Sequence, residues 1–405
     1  ANVLGSRNVA IGRAALQVMN PASAVDMYNV AIGFAAGESA TTGVQNTLIG
    51  GLAGDAITTG SGNAAVGYNA LGANTTADNV AAFGALALAA NTTGSENTGL
   101  GPAALYGNTT GDNNVAVGHA ALVANTTASN NTAVGKSALA ANTTGHSNSA
   151  VGQGSLDANT TGDDNVAVGR LALTANTTGS SNVAIGRDAL EANTTANNNT
   201  AVGTDSLKAN TTGHSNAAVG VSALATNTTG SANVTVGMNS LKLNTTGSYN
   251  TSMGEGALLD NTTASNNTAV GQTAMRFNTT GTNNVALGKD ALYANTTGGN
   301  NIAVGLNALK ANTGSYSNVA VGVRALAAFN VTSATSTYNV AVGEDAGALM
   351  TTGVQNTFVG GLAGDATDDG QNNVGVGYGA LSANCGASNT GVGHGALSVC
   401  LASNN

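Results

Sequence analysis

The sequence of 405 residues is poor in the residues that fill and bound large globular cores. It has no tryptophan, five phenylalanines and two prolines, although 42% of its residues are hydrophobic. Its apolar residues are mostly alanine, valine and leucine, which are too small to fill a wide interior. These absences argue against several ordinary globular domains and predict a narrow, uniform core.

Charge is scarce as well. There are 11 Lys and Arg residues against 20 Asp and Glu residues, a net charge of −9, and no run of like charge. A nucleic-acid partner is not expected, because phosphate binding needs a basic patch. No stretch of about 18 apolar residues occurs, so we expect no membrane insertion. The chain begins without methionine and stops in mid-pattern, which we expect of a mature product or a piece of a longer array.

The sequence is rich in one pattern, a 17-residue repeat marked by a glycine. The marker runs from Gly33 to Gly322 without a slip, and twenty-three glycines can be placed on it. The copy at 114–131 reads Asn-Val-Ala-Val-Gly, two variable residues, Ala-Leu, one variable residue, Ala-Asn-Thr-Thr and a short loop. A fixed period of this size indicates stacked backbone coils. We therefore predict an all-β parallel β-solenoid, a β-roll, as one continuous array of about 23 coils over residues 1–405.

Two departures from the period recur. The coils at 12–33 and 322–343 are four residues longer than the others, and the blocks at 29–76 and 339–386 repeat each other at an offset of 310 residues. Each block contains a coil with a Gly-Gly pair. At a spacing of about 4.8 Å per coil, the array would be about 110 Å long. Open strand edges at its ends would favour continuation of the chain or end-to-end stacking.

Alternation along the strand assigns its residues to two faces. The residue before the marker glycine is a sizeable apolar one, so we predict that it forms the core of the coil. The middle residue is almost always alanine, which predicts that another chain packs closely against that face in a side-by-side trimer. The predicted core column is Val117, Val134, Val151, Val168, Ile185 and Val202. The predicted inter-chain seam is Ala116, Ala133, Ala150, Ala167, Ala184 and Ala201.

A further column is an asparagine followed by two threonines. Identical stacked asparagines can bond from coil to coil, so we predict an amide ladder. The same column supplies fourteen N-glycosylation sequons, but glycans about 4.8 Å apart would collide. We therefore interpret the sequons as a by-product of the ladder. The ladder residues are Asn125, Asn142, Asn159, Asn176, Asn193 and Asn210.

The sequence offers no convincing catalytic or metal-binding pattern. The four histidines lie on separate coils, at two loop phases and without ligand spacing, and single carboxylates at variable positions are typical of solvated surface. We predict no enzymatic activity, no bound metal and no cofactor. The carboxylates considered as a glycosidase pair are Asp163, Asp164, Asp188, Asp205 and Glu255.

The two cysteines, Cys385 and Cys400, fall on successive predicted coils. Coils about 4.8 Å apart suit the Cα separation of a disulfide. A disulfide, free thiols and an inter-chain bond all remain open at this point.

Parts of this repeat resemble the repeats of two known families. The Asn-Val-Ala-Val-Gly or Asn-Val-Ala-Ile-Gly core at 8–12, 29–33, 114–118 and 182–186 resembles the head repeat of trimeric autotransporter adhesins of the YadA type. The longer form with Ala-Leu and Asn-Thr-Thr-Gly resembles shaft repeats of phage tail fibres. The resemblance implies a left-handed β-roll, three chains side by side, and an extracellular, cell-surface or virion fibre.

We therefore expect a structural or adhesive fibre shaft that binds copies of itself and a cell-surface glycan or receptor. Residues just after the marker glycine vary freely, as an exposed surface should: Lys136, Arg170, Arg187, Glu255 and Lys289. The alternative is a binder of ice or carbohydrate surfaces through stacked threonines. Adjacent threonines point apart along an extended chain, which disfavours this alternative. Its residues are Thr126, Thr143, Thr160 and Thr177.

Overall fold

A computed structural model describes residues 5–399, which fall into two compact units, 5–199 and 200–399. The predicted parallel β-solenoid is confirmed: each unit is a stack of coils, nearly all of 17 residues, and each coil contributes one three-residue strand. The described residues contain no helix, and so none that could cross a membrane.

The first unit contains thirteen strands within the described residues. All but β1 and β3 form one parallel ladder in which equivalent residues of successive coils are partners, for example Ala133 with Ala150. The strands are β1 Gly5–Ser6, β2 Val9–Ile11, β3 Val25–Asp26, β4 Val30–Ile32, β5 Thr47–Ile49, β6 Ala64–Val66, β7 Ala81–Phe83, β8 Thr98–Leu100, β9 Val115–Val117, β10 Thr132–Val134, β11 Ser149–Val151, β12 Val166–Val168 and β13 Val183–Ile185.

The second unit has the same arrangement in twelve described strands. They are β14 Thr200–Val202, β15 Ala217–Val219, β16 Val234–Val236, β17 Thr251–Met253, β18 Thr268–Val270, β19 Val285–Leu287, β20 Ile302–Val304, β21 Val319–Val321, β22 Val340–Val342, β23 Thr357–Val359, β24 Val374–Val376 and β25 Thr390–Val392.

The two longer coils keep the strand register. Val9 pairs with Val30 in the first unit, and Val319 pairs with Val340 in the second. In the first unit the longer coil contains β3, which pairs with β1 beside the main ladder. The four extra residues are therefore accommodated away from the strands, and the columns continue unchanged.

Outside the strands, the backbone bonds from coil to coil. The Gly118 amide donates to Leu100 O at 2.7 Å, the Leu122 amide to Ala138 O at 3.0 Å, and the Thr126 amide to Thr143 O at 3.1 Å. The coils are therefore joined by hydrogen bonds along the strands and also along the turns that follow the marker glycine, which we call the turn side. This matters because a buried backbone amide without a partner costs free energy comparable to a lost hydrogen bond.

The turn side contains leucine in the left-handed backbone region. In one coil φ is 55° at Ala120 and 51° at Leu122, and the same two positions recur with positive φ through both units. This conformation costs an L-residue about 1–2 kcal/mol. The coil-to-coil hydrogen bonds and the full burial of Leu122 offset that cost.

The structure reverses the predicted faces of the strand. The alanines of the predicted seam are 0% exposed within a single chain, so they line the interior of their own coil and cannot form an inter-chain seam. The predicted core residues point outward: Val134, Val151, Val168 and Ile185 are 36–40% exposed, and Val117 and Val202 are half-exposed. The assignments corrected here are the seam Ala116, Ala133, Ala150, Ala167, Ala184 and Ala201 and the core Val117, Val134, Val151, Val168, Ile185 and Val202.

The narrow interior of the coil explains the reversal. Gly99 occupies the alanine column, and a Cβ added there would lie 3.1 Å from both Ala104 O and Leu88 Cδ1. The leucine four residues after most marker glycines, such as Leu88, forms a second column that faces the strand. A methyl group on the strand residue is therefore already in close contact with this leucine column. Outside the two coils with a Gly-Gly pair, the largest side chain in the alanine column is Thr235, which is buried. The column therefore holds only small side chains, and the larger residues of the strand face outward.

The two coils with a Gly-Gly pair, here called the special coils, show the same packing limit in a different way. Leu48 and Phe358 occupy the alanine column and are buried. Glycine replaces the usual leucine around both of them. A Cβ added at Gly54 would lie 2.9 Å from Leu48 Cδ2, and one added at Gly364 would lie 2.5 Å from Phe358 Cε1. A large strand residue is thus accommodated where the opposing leucines are absent.

We predict that Ala167→Leu destabilises its unit by about 1–3 kcal/mol, because the interior has no room for the added atoms. The matched change Thr161→Leu should cost under about 0.5 kcal/mol, since residue 161 is exposed and lies outside the strands. Urea denaturation followed by circular dichroism measures both. Adding Leu156→Gly and Leu173→Gly to Ala167→Leu copies the Leu48 arrangement and should restore part of the loss. Equal costs at 167 and 161 would contradict this packing.

Candidate functional site

The predicted asparagine ladder forms inside the coils. Asn142 Nδ2 donates to Asn125 Oδ1 at 3.0 Å and to Gly145 O at 2.9 Å, and Asn142 Oδ1 accepts from Asn159 Nδ2 at 2.9 Å. The bonding repeats along each unit and includes Asn176 and Asn193 in the first unit and Asn210 in the second. Each interior amide therefore has partners for both its donor and its acceptor groups, as a buried polar group requires.

The ladder is incompatible with glycans on the fourteen sequons. Their asparagines, from Asn74 to Asn295, are all 0% exposed. N-linked glycans attach to the side-chain nitrogen, which in this column donates inside the coil. A modified asparagine would have to leave the interior.

A second asparagine column was not predicted as a ladder. Asn131 Nδ2 donates to Gly145 O at 2.9 Å, and Asn131 Oδ1 accepts from the Asn148 amide at 2.9 Å. Asn131 opens its coil and Gly145 lies near its end, so this bond closes the coil. Gly145 O accepts from Asn142 as well, which joins the two columns. The sequence signal was present, because this asparagine opens almost every repeat.

A third column of short polar side chains caps backbone amides at the surface. The Ser129 amide donates to His146 Nδ1 at 3.0 Å, the His146 amide to Asp163 Oδ1 at 2.7 Å, and the Asp163 amide to Ser180 Oγ at 3.0 Å. His146 and Asp163 are thus acceptors for the backbone.

The other carboxylates considered for catalysis are not brought into a pair. Asp188 lies between Arg170 and Arg187, with N–O distances of 3.6 and 3.2 Å. Glu255 accepts a hydrogen bond from Gln272, and Asp164 donates its backbone amide to His146 O. Asp205 forms an ion pair with Lys208. Among residues 5–399, no group of three side chains is arranged to hold a metal ion.

The two threonines of each repeat differ in exposure. Thr126 Oγ1 donates to Thr143 O at 3.0 Å, and the same bond recurs at Thr143 and Thr160. The threonines of the predicted surface array are therefore half-buried and bonded to the next coil. The following threonine is the exposed one, as at Thr127 and Thr144.

Three acidic groups near the special coils have shifted pKa values. A hydrogen bond from Arg324 Nε to Asp345 Oδ1, at 2.6 Å, lowers the pKa of Asp345. The stabilisation from this pair is present above the unfolded-state pKa and is lost as pH falls through the folded-state pKa. Burial raises the pKa of Asp55 and of Asp365, so protonation as pH falls relieves an unfavourable buried charge.

Cys385 is buried and disulfide-bonded. Its predicted partner, Cys400, lies outside the described residues. The bond at Cys385 removes the free-thiol alternative for that residue.

No protein-family model matches the chain, and a search of curated proteins finds no match. The exposed columns of the solenoid are therefore the basis for a functional proposal.

We predict that Asn159→Asp destabilises the first unit by about 3 kcal/mol or more at pH 7, because it buries an unpaired carboxylate among oxygen acceptors. Burial would raise the pKa of that carboxyl, so the destabilisation should shrink as pH falls and the group becomes protonated. Urea denaturation at pH 7 and pH 4 measures the difference. Asn130→Asp, at an exposed asparagine, should change stability little at either pH. Similar effects of both variants would contradict the ladder's importance.

Proposed function

We propose that the chain is part of a structural or adhesive extracellular fibre shaft that assembles from copies of itself. The observation that carries the proposal is an uncharged, outward-facing strand surface. Within the described residues, none of the three-residue strands of either unit contains a charged residue. A solvated sheet face normally has polar residues pointing outward, whereas here the outward residue just before the marker glycine is apolar in every three-residue strand.

The apolar stripe, meaning the outward column just before the marker glycine, is exposed in both units. In the first unit its most exposed members are Ile11, Ile32, Ile49, Phe83, Leu100, Val134, Val151, Val168 and Ile185. In the second unit they are Val219, Val236, Met253, Leu287, Val342, Val359 and Val392. Extended apolar patches of this kind usually mark interaction surfaces.

The stripe is also suited to close approach. The marker glycine beside it has no side chain, and the first strand residue, such as Val115 or Thr132, is small and half-exposed. Burial contributes roughly 25 cal/mol per Å², and each coil adds its own increment, so a weak contact per coil becomes strong along a unit. This surface replaces the alanine column as the seam of the proposed trimer, whose three-chain stoichiometry rests on the resemblance to trimeric fibres.

The extracellular assignment has separate support. Disulfides persist mainly in oxidising compartments, and Cys385 is disulfide-bonded. The assignment as a shaft without enzymatic activity is supported by His146 and Asp163, which accept hydrogen bonds from backbone amides, and by Asp188, which forms an ion pair with Arg187.

We predict that the protein elutes with three times the mass of one chain in size-exclusion chromatography with light scattering. The double variant Val151→Asp and Val168→Asp should elute as one chain, because the seam would have to bury unpaired carboxylates. Circular dichroism checks that this double variant and its control, described next, keep their sheet content.

The matched control is Thr161→Asp with Thr178→Asp, which adds the same charge to exposed positions of the same coils. It should leave the mass unchanged. If the wild-type protein stays a single chain at high concentration, the proposed seam does not exist. If both double variants dissociate equally, the cause is a general effect of added charge and not the seam.

The alternative, an ice-binding surface, draws on a different observation. The second threonine of each repeat forms an exposed column with one hydroxyl per coil, including Thr127, Thr144 and Thr161. A thermal-hysteresis assay separates the two functions. A fibre shaft should show no activity, whereas an ice binder should show activity that Thr144→Leu with Thr161→Leu reduces.

A further inference from the structure

The position after the marker glycine carries a side chain in nearly every coil, from Ala85 to Lys289. It is empty in two coils, at Gly51 in the first unit and Gly361 in the second. These glycines are equivalent in the blocks 29–76 and 339–386. In both blocks the next coil has a tyrosine at this position, Tyr68 or Tyr378.

The fold does not require these two glycines. Neither has a left-handed φ. A Cβ added at Gly51 would meet only Tyr68 Cδ2 at 3.8 Å, and one added at Gly361 would meet Tyr378 Cδ2 at 3.4 Å, both ordinary contacts. At the neighbouring marker Gly50, by contrast, a Cβ would lie 2.4 Å from Gly67 O. An alanine would fit at either site, so packing does not explain why both are empty.

Each gap is a slot between side chains two coils apart, about 9.6 Å at the usual strand spacing. In the first unit the walls are Phe34 and Tyr68, which are 55% and 61% exposed. In the second unit the walls are Glu344 and Tyr378.

The slot of the second unit is a cavity of about 270 Å³ lined by Glu344, Asp345, Gly361, Leu362 and Tyr378. This is near the lower end of small-molecule sites, about 300–1,000 Å³, and suits a single ring. The His394 ring stacks on Tyr378 with centroids 5.6 Å apart and an interplanar angle of 16°, which supports the tyrosine from the far side.

The charges around the two slots differ. Glu344 and the Arg324–Asp345 ion pair border the second slot. The equivalent residues of the first slot are Phe34 and Ala35, and the Arg13 guanidinium lies 5.9 Å from the Phe34 ring centroid. The two slots therefore share a tyrosine face and a gap, and they do not share a charge. An occupant common to both would be uncharged and have an apolar face.

We propose that both slots bind a hexopyranose unit of a neutral glycan. The C–H face of the sugar would stack on Tyr68 or Tyr378, as apolar surfaces pack on aromatic rings. Its ring would occupy the space above Gly51 or Gly361. In the second slot the carboxylate oxygens of Glu344 would accept hydrogen bonds from sugar hydroxyls, so that slot should bind more tightly.

The test is saturation-transfer NMR of the full chain with methyl β-D-glucopyranoside, methyl β-D-galactopyranoside and methyl α-D-mannopyranoside. Each glycoside is used at about 50 mM, because a single ring in a small cavity binds with only millimolar affinity. At least one glycoside should receive saturation at its ring protons. The double variant Gly51→Leu and Gly361→Leu, which fills both slots, should weaken binding at least tenfold.

A second double variant, Tyr68→Ala with Tyr378→Ala, removes the stacking faces and should weaken binding to the same extent. The control is Tyr249→Ala, which removes a tyrosine that is 67% exposed and is not beside a slot. It should leave binding unchanged, and circular dichroism checks the fold of each variant. The proposal is overturned if no glycoside binds, if binding survives both double variants, or if tetramethylammonium binds at the slots while the glycosides do not.

Discussion

The width of the coil interior is the constraint on which the rest of the structure depends. Between the strand and the opposing leucine there is room only for a small side chain. A Cβ added at Gly99 would already lie 3.1 Å from Leu88 Cδ1, and the largest residue in this column outside the Gly-Gly coils is Thr235. A layer this thin cannot hold two facing rows of large side chains, so the larger strand residues point outward. Interiors are packed at nearly crystalline density, and a single methylene is enough to disturb them. Where Leu48 enters this layer, glycine replaces the opposing leucines, which keeps the layer filled and uncrowded.

A thin interior also cannot be closed by hydrophobic burial alone, and asparagine supplies the remaining stabilisation. Asn131 closes its own coil through Gly145 O, and Asn142 links coil to coil through neighbouring amides. Because each amide is both donor and acceptor, a coil displaced by one residue would leave buried groups unpaired on two sides. An unpaired buried group costs about 1–3 kcal/mol. The ladders therefore oppose slippage between coils, and they explain why a strict period accompanies such a small apolar core.

The sequence predicted the fold class, the position of every main strand and the first asparagine ladder, because each depends on a residue type repeated at one phase. Its prediction of which strand face lies inside was wrong. The alternation of Val115, Ala116 and Val117 fits either orientation, and the choice rested on side-chain size, which favours the valines in an ordinary core. The width of the coil interior decides which strand face lies inside, and this width depends on how the turn side packs. That side places Leu122 at a φ of 51°, a conformation that leucine rarely adopts and that its residue type does not indicate.

The separation of interior from surface explains where this chain is free to vary. The marker glycine, the alanine and the two asparagines of a coil contact the neighbouring coils, so a change at any of them affects several coils. The residue after the glycine projects outward, and it ranges from Pro102 to Lys136 and Tyr378 without any change in strand register. The charge and size of the side chain in this column can therefore change one coil at a time. A site formed there needs only neighbouring coils of the same unit, which is why two small, recurring gaps can arise in an otherwise uniform array.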